Sequence, residues 1–217
     1  MYAIEIDGLN KSYGSNIVLK NLNLRLEKKS VLNITGASGC GKTTLLRCIC
    51  GFEQFEQGSI KIFDSIVQNN STHIPANKRS ISLVFQNLAL WPHITIYQKV
   101  DYASKSFIKN KCKRRDWNET ILEKMGIEHK RNEFPGDLSG GEQQRVAIAR
   151  ALAHKSKILL LDEPFNNLNE ELQQRILSVL KEWIKKYGTT IVLVSHQLNQ
   201  LKNFATEWKT LDNGVFI

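Results

Sequence analysis

The segment that most constrains the fold is a short apolar run that leads directly into a glycine-rich loop. Residues 31–35, "VLNIT", have the apolar character of a strand, and residues 36–44, "GASGCGKTT", follow at once. The next residues repeat at helical spacing until Gly51, so the loop joins a strand to a helix. In this context the pattern predicts a phosphate site. The glycines let the backbone wrap phosphate oxygens, Lys42 reaches the phosphates and Thr43 holds Mg²⁺.

A second apolar run ends in two carboxylates. Residues 157–161, "KILLL", are typical of a buried strand. They deliver Asp162 and Glu163 to its carboxyl end, where ligands of open α/β sheets bind. On their own, such carboxylates more often cap a strand or form a surface pair. Together with the glycine loop they predict a nucleotide hydrolase in which Asp162 supports the metal and Glu163 polarises the attacking water.

The remaining pattern predicts an α/β core that is interrupted by helices. Further strands are predicted at 22–26, 59–63, 80–85 and 190–194, a long helix at 169–187, and a C-terminal hairpin with its turn at Asn213 and Gly214. The β pattern is absent from about residue 96 to 153, where "WNETILEKMG", residues 117–126, repeats at helical spacing. The two near-continuous apolar runs in the second half predict buried parallel strands.

The net charge of +9 favours an anionic partner. The densest basic run is "KNKCKRR", residues 109–115. It predicts a solvated face, and contact with anionic lipid or a membrane partner is the alternative. Nucleic acid is not expected as a partner, because no aromatic residues interleave the run.

Cysteines and apolar runs bear on the compartment. The four cysteines show no C-x-x-C pairing, so we expect them to be reduced core or site residues. No apolar run approaches the length that crosses a bilayer, and no signal peptide is recognisable at the N-terminus. We therefore expect the chain to stay in the cytosol.

The ordered motifs resemble those of the ATP-binding subunit of the ATP-binding-cassette (ABC) transporter family, over nearly the whole chain. The family's signature is "LSGGEQQR", residues 138–145, and "LLLDEP", residues 159–164, matches its catalytic strand. The resemblance implies that Tyr13 stacks on adenine, that Gln86 senses metal and water beside the membrane-subunit contact, and that His196 lies near the γ-phosphate. It also implies that the signature binds the ATP held by the other subunit of a head-to-tail dimer.

The motifs and the resemblance together predict ATP and Mg²⁺ as ligands. The predicted catalytic residues are Glu163, His196 and Gln86, and the predicted metal-binding residues are Thr43, Gln86 and Asp162. The predicted nucleotide-binding residues are Tyr13, Gly36, Ala37, Ser38, Gly39, Cys40, Gly41, Lys42, Thr43, Thr44, Ser139, Gly140, Gly141 and Gln143. The resemblance implies an α/β P-loop NTPase (RecA-like) core, about 1–86 and 157–217, with an antiparallel β subdomain and an inserted α-helical signature subdomain at 87–156.

Residues 87–100, "NLALWPHITIYQKV", resemble the segment of solute importers that follows the glutamine corresponding to Gln86. The implied function is the ATPase subunit of such an importer, on the cytoplasmic side of the cell membrane. Its implied partners are a second, identical ATP-binding subunit, separate permease subunits and a solute-binding protein. A lipoprotein-releasing or drug exporter is the variant within transport. A soluble cassette protein that acts on ribosomes or DNA is the second class.

Two positions depart from the family pattern. The family often has Asp where this chain has Asn169, in the loop that touches the opposite subunit. It often has Asp or Glu where this chain has Gln197, directly after His196. These departures bear on the rate of hydrolysis and on the subunit interface, and not on nucleotide binding.

Overall fold

The computed structural model describes residues 1–166, 168–196 and 198–217, the side chains of residues 198 and 199 excepted. The strands are β1 (Tyr2–Tyr13), β2 (Asn16–Glu27), β3 (Val31–Thr35), β4 (Gln57–Ile62), β5 (Ser65–Gln68), β6 (Ile81–Val84), β7 (Ile158–Asp162), β8 (Thr190–Val194), β9 (Glu207–Asp212) and β10 (Val215–Phe216). The helices are α1 (Lys42–Cys50), α2 (Ile96–Ser104), α3 (Lys111–Met125), α4 (Gly140–Ala153), α5 (Glu170–Tyr187) and α6 (Leu198–Leu201). These elements form two sheets and a group of helices.

The larger sheet has the strand order β10-β9-β3-β8-β7-β6 and is parallel except for the β10 edge. Every residue of β7 and β8 is buried, which explains their near-continuous apolar runs and confirms the predicted parallel pair. Because β3, β6 and β7 run in the same direction, the segments that follow them all leave the sheet at the carboxyl ends of its strands. The loop at 36–41, Gln86 and Glu163 therefore lie close together at this end of the sheet.

The smaller sheet is antiparallel, with the order β2-β1-β4-β5, as the predicted β subdomain requires. Its inner face shares a hydrophobic core with α1, in which Ile4, Leu9 and Leu19 join Leu45 and Leu46. The predicted strands at 22–26 and 59–63 lie in or overlap β2 and β4, whereas β1 and β5 were not predicted. The sheet thus supports the helix that follows the glycine-rich loop.

Three helices, α2, α3 and α4, separate β6 from β7, as the predicted helical insertion requires. On α3, the apolar residues at helical spacing are Trp117, Ile121, Leu122 and Met125; the last three are buried and Trp117 is half-buried. They share a core with α4 and with Trp183 of α5. Gly126 is the C-cap of the helix and adopts a left-handed conformation.

The basic run at 109–115 surrounds the start of α3. The Asn110 side chain caps the helix by accepting a hydrogen bond from the Lys113 N–H at 3.0 Å. The exposed cations of the run are Lys109, Lys111, Lys113 and Arg115. Arg114 is buried instead, and its Nε lies 2.7 Å from Asp101 Oδ1. The run is therefore a solvated surface with one internal ion pair.

The four cysteines are free thiols. Cys40 lies in the loop at 36–41 and Cys48 and Cys50 lie in the core, as expected, whereas the prediction of a core or site residue is wrong for Cys112, which is exposed in the first turn of α3. Burial raises the pKa of both Cys48 and Cys50 to about 12, which is the behaviour of core residues. Among the residues that the structure describes, no helix has both the length and the apolar character needed to cross a membrane.

Candidate nucleotide-binding site

Glycines shape the phosphate loop (residues 36–44) between β3 and α1. Gly36 has a φ of 141°, and a Cβ added there would lie 2.1 Å from the Leu211 carbonyl oxygen, so only glycine fits. Gly41 precedes α1 with a φ of 109°, and no side chain caps this helix end. The first-turn N–H groups of α1 are therefore free to bind an anion, which the helix dipole also favours.

Lys42 lies inside this loop. The side chain is buried, and Nζ donates hydrogen bonds to the carbonyl oxygens of Gly36 and Ala37, both at 2.7 Å. Nζ is also 3.7 Å from Cys40 Sγ. The ammonium group thus lies within the loop in which the sequence pattern predicts phosphate oxygens.

Thr43 and Asp162 form the side of the site where a metal is predicted. The Thr43 hydroxyl donates to Asp162 Oδ2 at 2.8 Å. Burial raises the pKa of Asp162, and the Thr43 hydrogen bond and the charges of Arg47 and Lys42 oppose this rise. Gln86 lines the same cleft. Hydroxyl, carboxylate and amide oxygens are ligand types that suit Mg²⁺, so these residues fit the predicted metal.

Glu163 has a strained backbone. Its φ is 49°, and its N–H donates to the Val194 carbonyl oxygen at 3.0 Å. A left-handed non-glycine residue costs about 1–2 kcal/mol, and such strain clusters at functional sites. Glu163 Oε1 lies 3.2 Å from His196 Nε2. Burial raises the pKa of Glu163, while the charge of His196 lowers it, as suits a carboxylate that accepts a proton.

A cleft of about 180 Å³ brings most of the predicted residues together. Its lining residues are Ser38, Gly39, Gly41, Lys42, Thr43, Thr44, Gln86, Asp162, Glu163, Val194 and His196. Val194 was not predicted, although its place at the carboxyl end of a buried strand could have indicated it. The geometry therefore groups both predicted carboxylates with residues 38, 39 and 41–44 of the phosphate loop, whereas the predicted contacts Gly36, Ala37 and Cys40 are not among the lining residues.

Tyr13 is not among the lining residues of the cleft. It ends β1, its side chain is 45% exposed, and Lys11 Nζ is 4.6 Å from the centre of its ring. The hairpin of β1 and β2 adjoins the phosphate loop, since a Cβ added to Gly41 would lie 3.0 Å from the Val18 carbonyl oxygen. Stacking of Tyr13 on adenine stays a prediction.

The signature (residues 138–145) forms the N-cap and first turns of α4, and its polar groups form hydrogen bonds with one another. The Ser139 N–H and hydroxyl both donate to Glu142 Oε2, at 2.8 and 2.7 Å, and the Glu142 N–H donates back to the hydroxyl at 3.3 Å. These bonds lower the pKa of Glu142. The Gln143 amide donates to the carbonyl oxygens of Pro135 and Leu138. The lining of the cleft includes none of the predicted signature contacts, Ser139, Gly140, Gly141 and Gln143.

The two departures from the family pattern have different outcomes. Asn169 caps α5, because its Oδ1 accepts a hydrogen bond from the Leu172 N–H at 2.9 Å. An aspartate would cap this helix equally well. Gln197 lies outside the described residues.

Comparison with known proteins identifies the family. A family profile described as ABC transporter matches residues 19–166. The chain belongs to the ABC transporter family.

Its relatives include import and transport proteins. The glutamine transport ATP-binding protein GlnQ of Bacillus subtilis is 38% identical over 99% of this chain and 88% of its own length. The methionine import ATP-binding protein MetN of Campylobacter jejuni is 35% identical over 99% of this chain and 69% of its own length. A dimeric post-hydrolysis structure of the ATP-binding cassette MJ0796, bound to ADP and Pi, is 31% identical with a TM-score of 0.89, covering 98% of this chain and 96% of that one. This chain is thus an ATP-binding and ATP-hydrolysing subunit with the P-loop NTPase fold.

Proposed function

We propose that this chain powers the import of a small solute as one of two identical ATP-binding subunits. ATP closes the two copies head to tail, and hydrolysis reopens them. The observation that carries this proposal is the division of the predicted residues: the cleft holds the phosphate loop and both carboxylates, while the signature lies outside it. A second copy supplies the missing signature. The dimeric state of the cassette MJ0796 supports this arrangement.

The residues of the cleft divide the chemistry. Lys42 and the N-terminus of α1 hold the phosphates of ATP. Thr43, Asp162 and Gln86 hold Mg²⁺, which supplies charge neutralisation of the phosphates when bound. The metal fits because Thr43 and Asp162 are joined by a hydrogen bond of 2.8 Å and both line the cleft that Gln86 also lines.

Glu163 is the general base of this proposal. It accepts the proton of the water that attacks the γ-phosphate, and its raised pKa brings it closer to the working pH. His196 orients the Glu163 carboxylate across 3.2 Å. The left-handed backbone of Glu163 fixes the carboxylate at the carboxyl edge of the sheet.

An exposed apolar groove of about 460 Å³ is the proposed docking surface for a cytoplasmic segment of the permease. It is lined by Phe52, Ile81, Ser82, Leu83, Phe85, Ala89, Trp91, Tyr102, Ala103, Arg150, Ala151 and His154. Phe52, Trp91 and Tyr102 are 55%, 42% and 65% exposed, although Phe52 contacts Phe85 and Trp91 contacts Tyr102. A contiguous exposed patch of large aromatic side chains of this kind marks an interaction surface. Phe85 adjoins Gln86, so an occupant of the groove lies next to the cleft.

Similarity supports this assignment. The cassette cbiO1 of Clostridium perfringens, which is part of the transporter complex cbiONQ, has a TM-score of 0.85 and 27% identity over 100% of this chain and 87% of that one. The MetN relative is an import protein. By analogy, the chain acts at the cytoplasmic face of a membrane, and a solute-binding protein delivers the solute to the permease from the other side.

Glu163→Gln tests the catalytic assignment. The variant should bind ATP as the unmutated chain does, because the phosphate loop is intact. It should lose turnover by at least about a hundredfold, which is the usual size of a general-base contribution, and should accumulate an ATP-bound dimer. The measurements are steady-state ATPase and light scattering with ATP.

The matched control is Glu170→Gln, which removes an exposed carboxylate from the first turn of α5. It should leave turnover unchanged. A Glu163→Gln protein that hydrolyses ATP at the unmutated rate and stays monomeric with ATP would contradict the proposal.

A further inference from the structure

The segment that carries Gln86 contains an unusual turn. In this glutamine turn (residues 85–89), Leu88 and Ala89 are consecutive non-glycine residues with φ values of 60° and 43°. The Leu88 N–H donates to the Phe85 carbonyl oxygen at 2.9 Å, and the Ala89 N–H donates to that of Asn87 at 2.7 Å. Left-handed non-glycine residues are disfavoured, so such a turn persists only where its surroundings hold it.

Arg150 holds the turn from outside. Its Nη1 donates to the Ala89 carbonyl oxygen at 2.6 Å and its Nη2 to that of Leu88 at 2.9 Å. The rigid guanidinium fork therefore spans the carbonyls of both left-handed residues. Burial lowers the pKa of Arg150, and no carboxylate in the described part of the chain forms an ion pair with it. The donors of this cation are thus directed to the glutamine turn.

The loop is held from a second helix as well. Lys99 of α2 is 1% exposed, and its Nζ donates to the carbonyl oxygen of Ile94, at the far end of the same loop. Arg150 belongs to the last turn of α4, the helix whose N-cap is Ser139. A rigid element therefore joins the signature to the segment that carries Gln86.

We propose that Arg150 is a positioning residue for hydrolysis: it fixes the glutamine turn so that the Gln86 amide stays in the cleft beside Thr43 and Asp162. Without the fork, the two left-handed residues relax and the amide leaves its place. This inference rests on the proposed role of Gln86 in the reaction. It adds a residue that touches neither nucleotide nor metal.

A double-mutant cycle tests the proposal on the purified chain. The four proteins are the unmutated chain, Arg150→Gln, Gln86→Ala and the double variant. Arg150→Gln should lower kcat by roughly ten- to a hundredfold, the effect of a small misplacement of a reacting group, with less than about a threefold change in KM for ATP. In the Gln86→Ala background the same change should have no further effect on kcat, because the group it positions is already gone.

Conservative and matched variants separate positioning from folding. Arg150→Lys keeps the charge but offers no fork, so kcat should fall between those of the unmutated chain and Arg150→Gln. Arg145→Gln on the same helix removes a similar clamp, since Arg145 Nη1 donates to the carbonyl oxygens of Met125 and Gly126 at 3.1 and 3.0 Å. Any loss of kcat from Arg145→Gln should be the same with and without Gln86.

Hydrogen exchange provides a readout that does not depend on activity. The amides of Leu88 and Ala89 should exchange faster in Arg150→Gln than in the unmutated chain, and those of α3 should not. If Arg150→Gln does not fold, Arg150→Lys goes through the same cycle.

The proposal is overturned if kcat is unchanged, or if it falls equally in both backgrounds. It is also overturned if Gln86→Ala keeps full turnover while Arg150→Gln is slow. Glu163→Gln in the same assay reports separately on the proposed function, because its failure to lose turnover counts against the hydrolytic assignment whatever the cycle shows.

Discussion

Two helices of this chain begin at glycine-rich stretches, and their N-termini differ. The N-cap of α1 is Gly41, with no side-chain hydrogen bond and no acidic residue in the first turn. The N-cap of α4 is Ser139, which forms a reciprocal capping box with Glu142. Because the N-terminus of α1 has no side-chain cap, its first N–H groups can bind a nucleotide held by the same chain. At the N-terminus of α4 the capping box already forms hydrogen bonds with the helix N–H groups, and Ser139 and Gly140 are exposed.

The carboxylates near the two helix ends differ in the same way. Burial raises the pKa values of Asp162 and Glu163 near α1. At α4, the hydrogen bonds from Ser139 lower the pKa of Glu142. Glu163 is placed in a cleft that favours uptake of a proton, whereas Glu142 is held ionised as a cap. The same chemical group thus serves reaction at one end and structure at the other.

The largest expected effect comes from distorting the phosphate loop that precedes α1. Gly36→Ala should abolish measurable ATP binding, because the added Cβ meets the Leu211 carbonyl oxygen at 2.1 Å and the loop must move. Gly188→Ala is the matched control: its φ of 68° is also left-handed, but the nearest atom to its Cβ is the flexible Lys29 Cε at 3.4 Å. The control should lose about 1–2 kcal/mol of the free energy of unfolding and keep ATP affinity. Equal ATP affinities for the two variants would count against a loop shaped by Gly36. Fluorescent-nucleotide titration and urea unfolding are the measurements.

A pH profile sharpens the contrast between the carboxylates. Turnover requires ionised Glu163, and its pKa is raised, so the rate should fall on acidification at a higher pH than an ordinary glutamate allows. The charge of His196 lowers this pKa, so His196→Gln should move the acidic limb of kcat to still higher pH. The residual ATPase of the variant, followed against pH, checks the direction. An acidic limb that stays in place or moves to lower pH would break the link between His196 and Glu163.

The smallest expected effect is at the capped N-terminus of α4. Because the folded-state pKa of Glu142 is lowered, its contribution to stability is present above the unfolded-state pKa and is lost as pH falls through the folded value. Glu142→Gln should remove this loss on acidification and cost about 0.3–1 kcal/mol of the free energy of unfolding at neutral pH. Urea unfolding at several pH values measures both. The control Glu171→Gln, at an exposed carboxylate in the first turn of α5, should retain the acid-dependent loss.

The sequence was sufficient where local pattern and burial agree. Every residue of β7 and β8 is buried, so their sequences are continuous apolar runs from which both strands could be predicted. The helix α1 is bounded by glycines in left-handed conformations, which mark both its ends. By contrast, β1 has several register shifts against β2, which break the alternation that predicts a strand. The four-residue β5 is too short to show a period.

The site was predictable as a set of residues and not as a geometry. The cleft contains the predicted carboxylates and phosphate loop, but the left-handed φ of Glu163 has no signal in its residue type. The contact of Arg150 with Leu88 and Ala89 joins residues about sixty positions apart and makes no local pattern. The turn of Gln143 toward Pro135 and Leu138 likewise depends on tertiary packing.

Mixing two inactive variants tests most directly whether the N-termini of α1 and α4 serve one site across two copies. Lys42→Ala removes the ammonium group from the phosphate loop, and Gly141→Asp places a carboxylate at the start of α4. Each variant alone should be inactive. In a mixed dimer, one of the two sites combines the intact phosphate loop of one copy with the intact signature of the other. An equal mixture, in which half of the dimers are mixed, should therefore regain about a quarter of the unmutated ATPase activity. A mixture that shows only the average of the two single variants, although mixed dimers are demonstrated, would contradict the account.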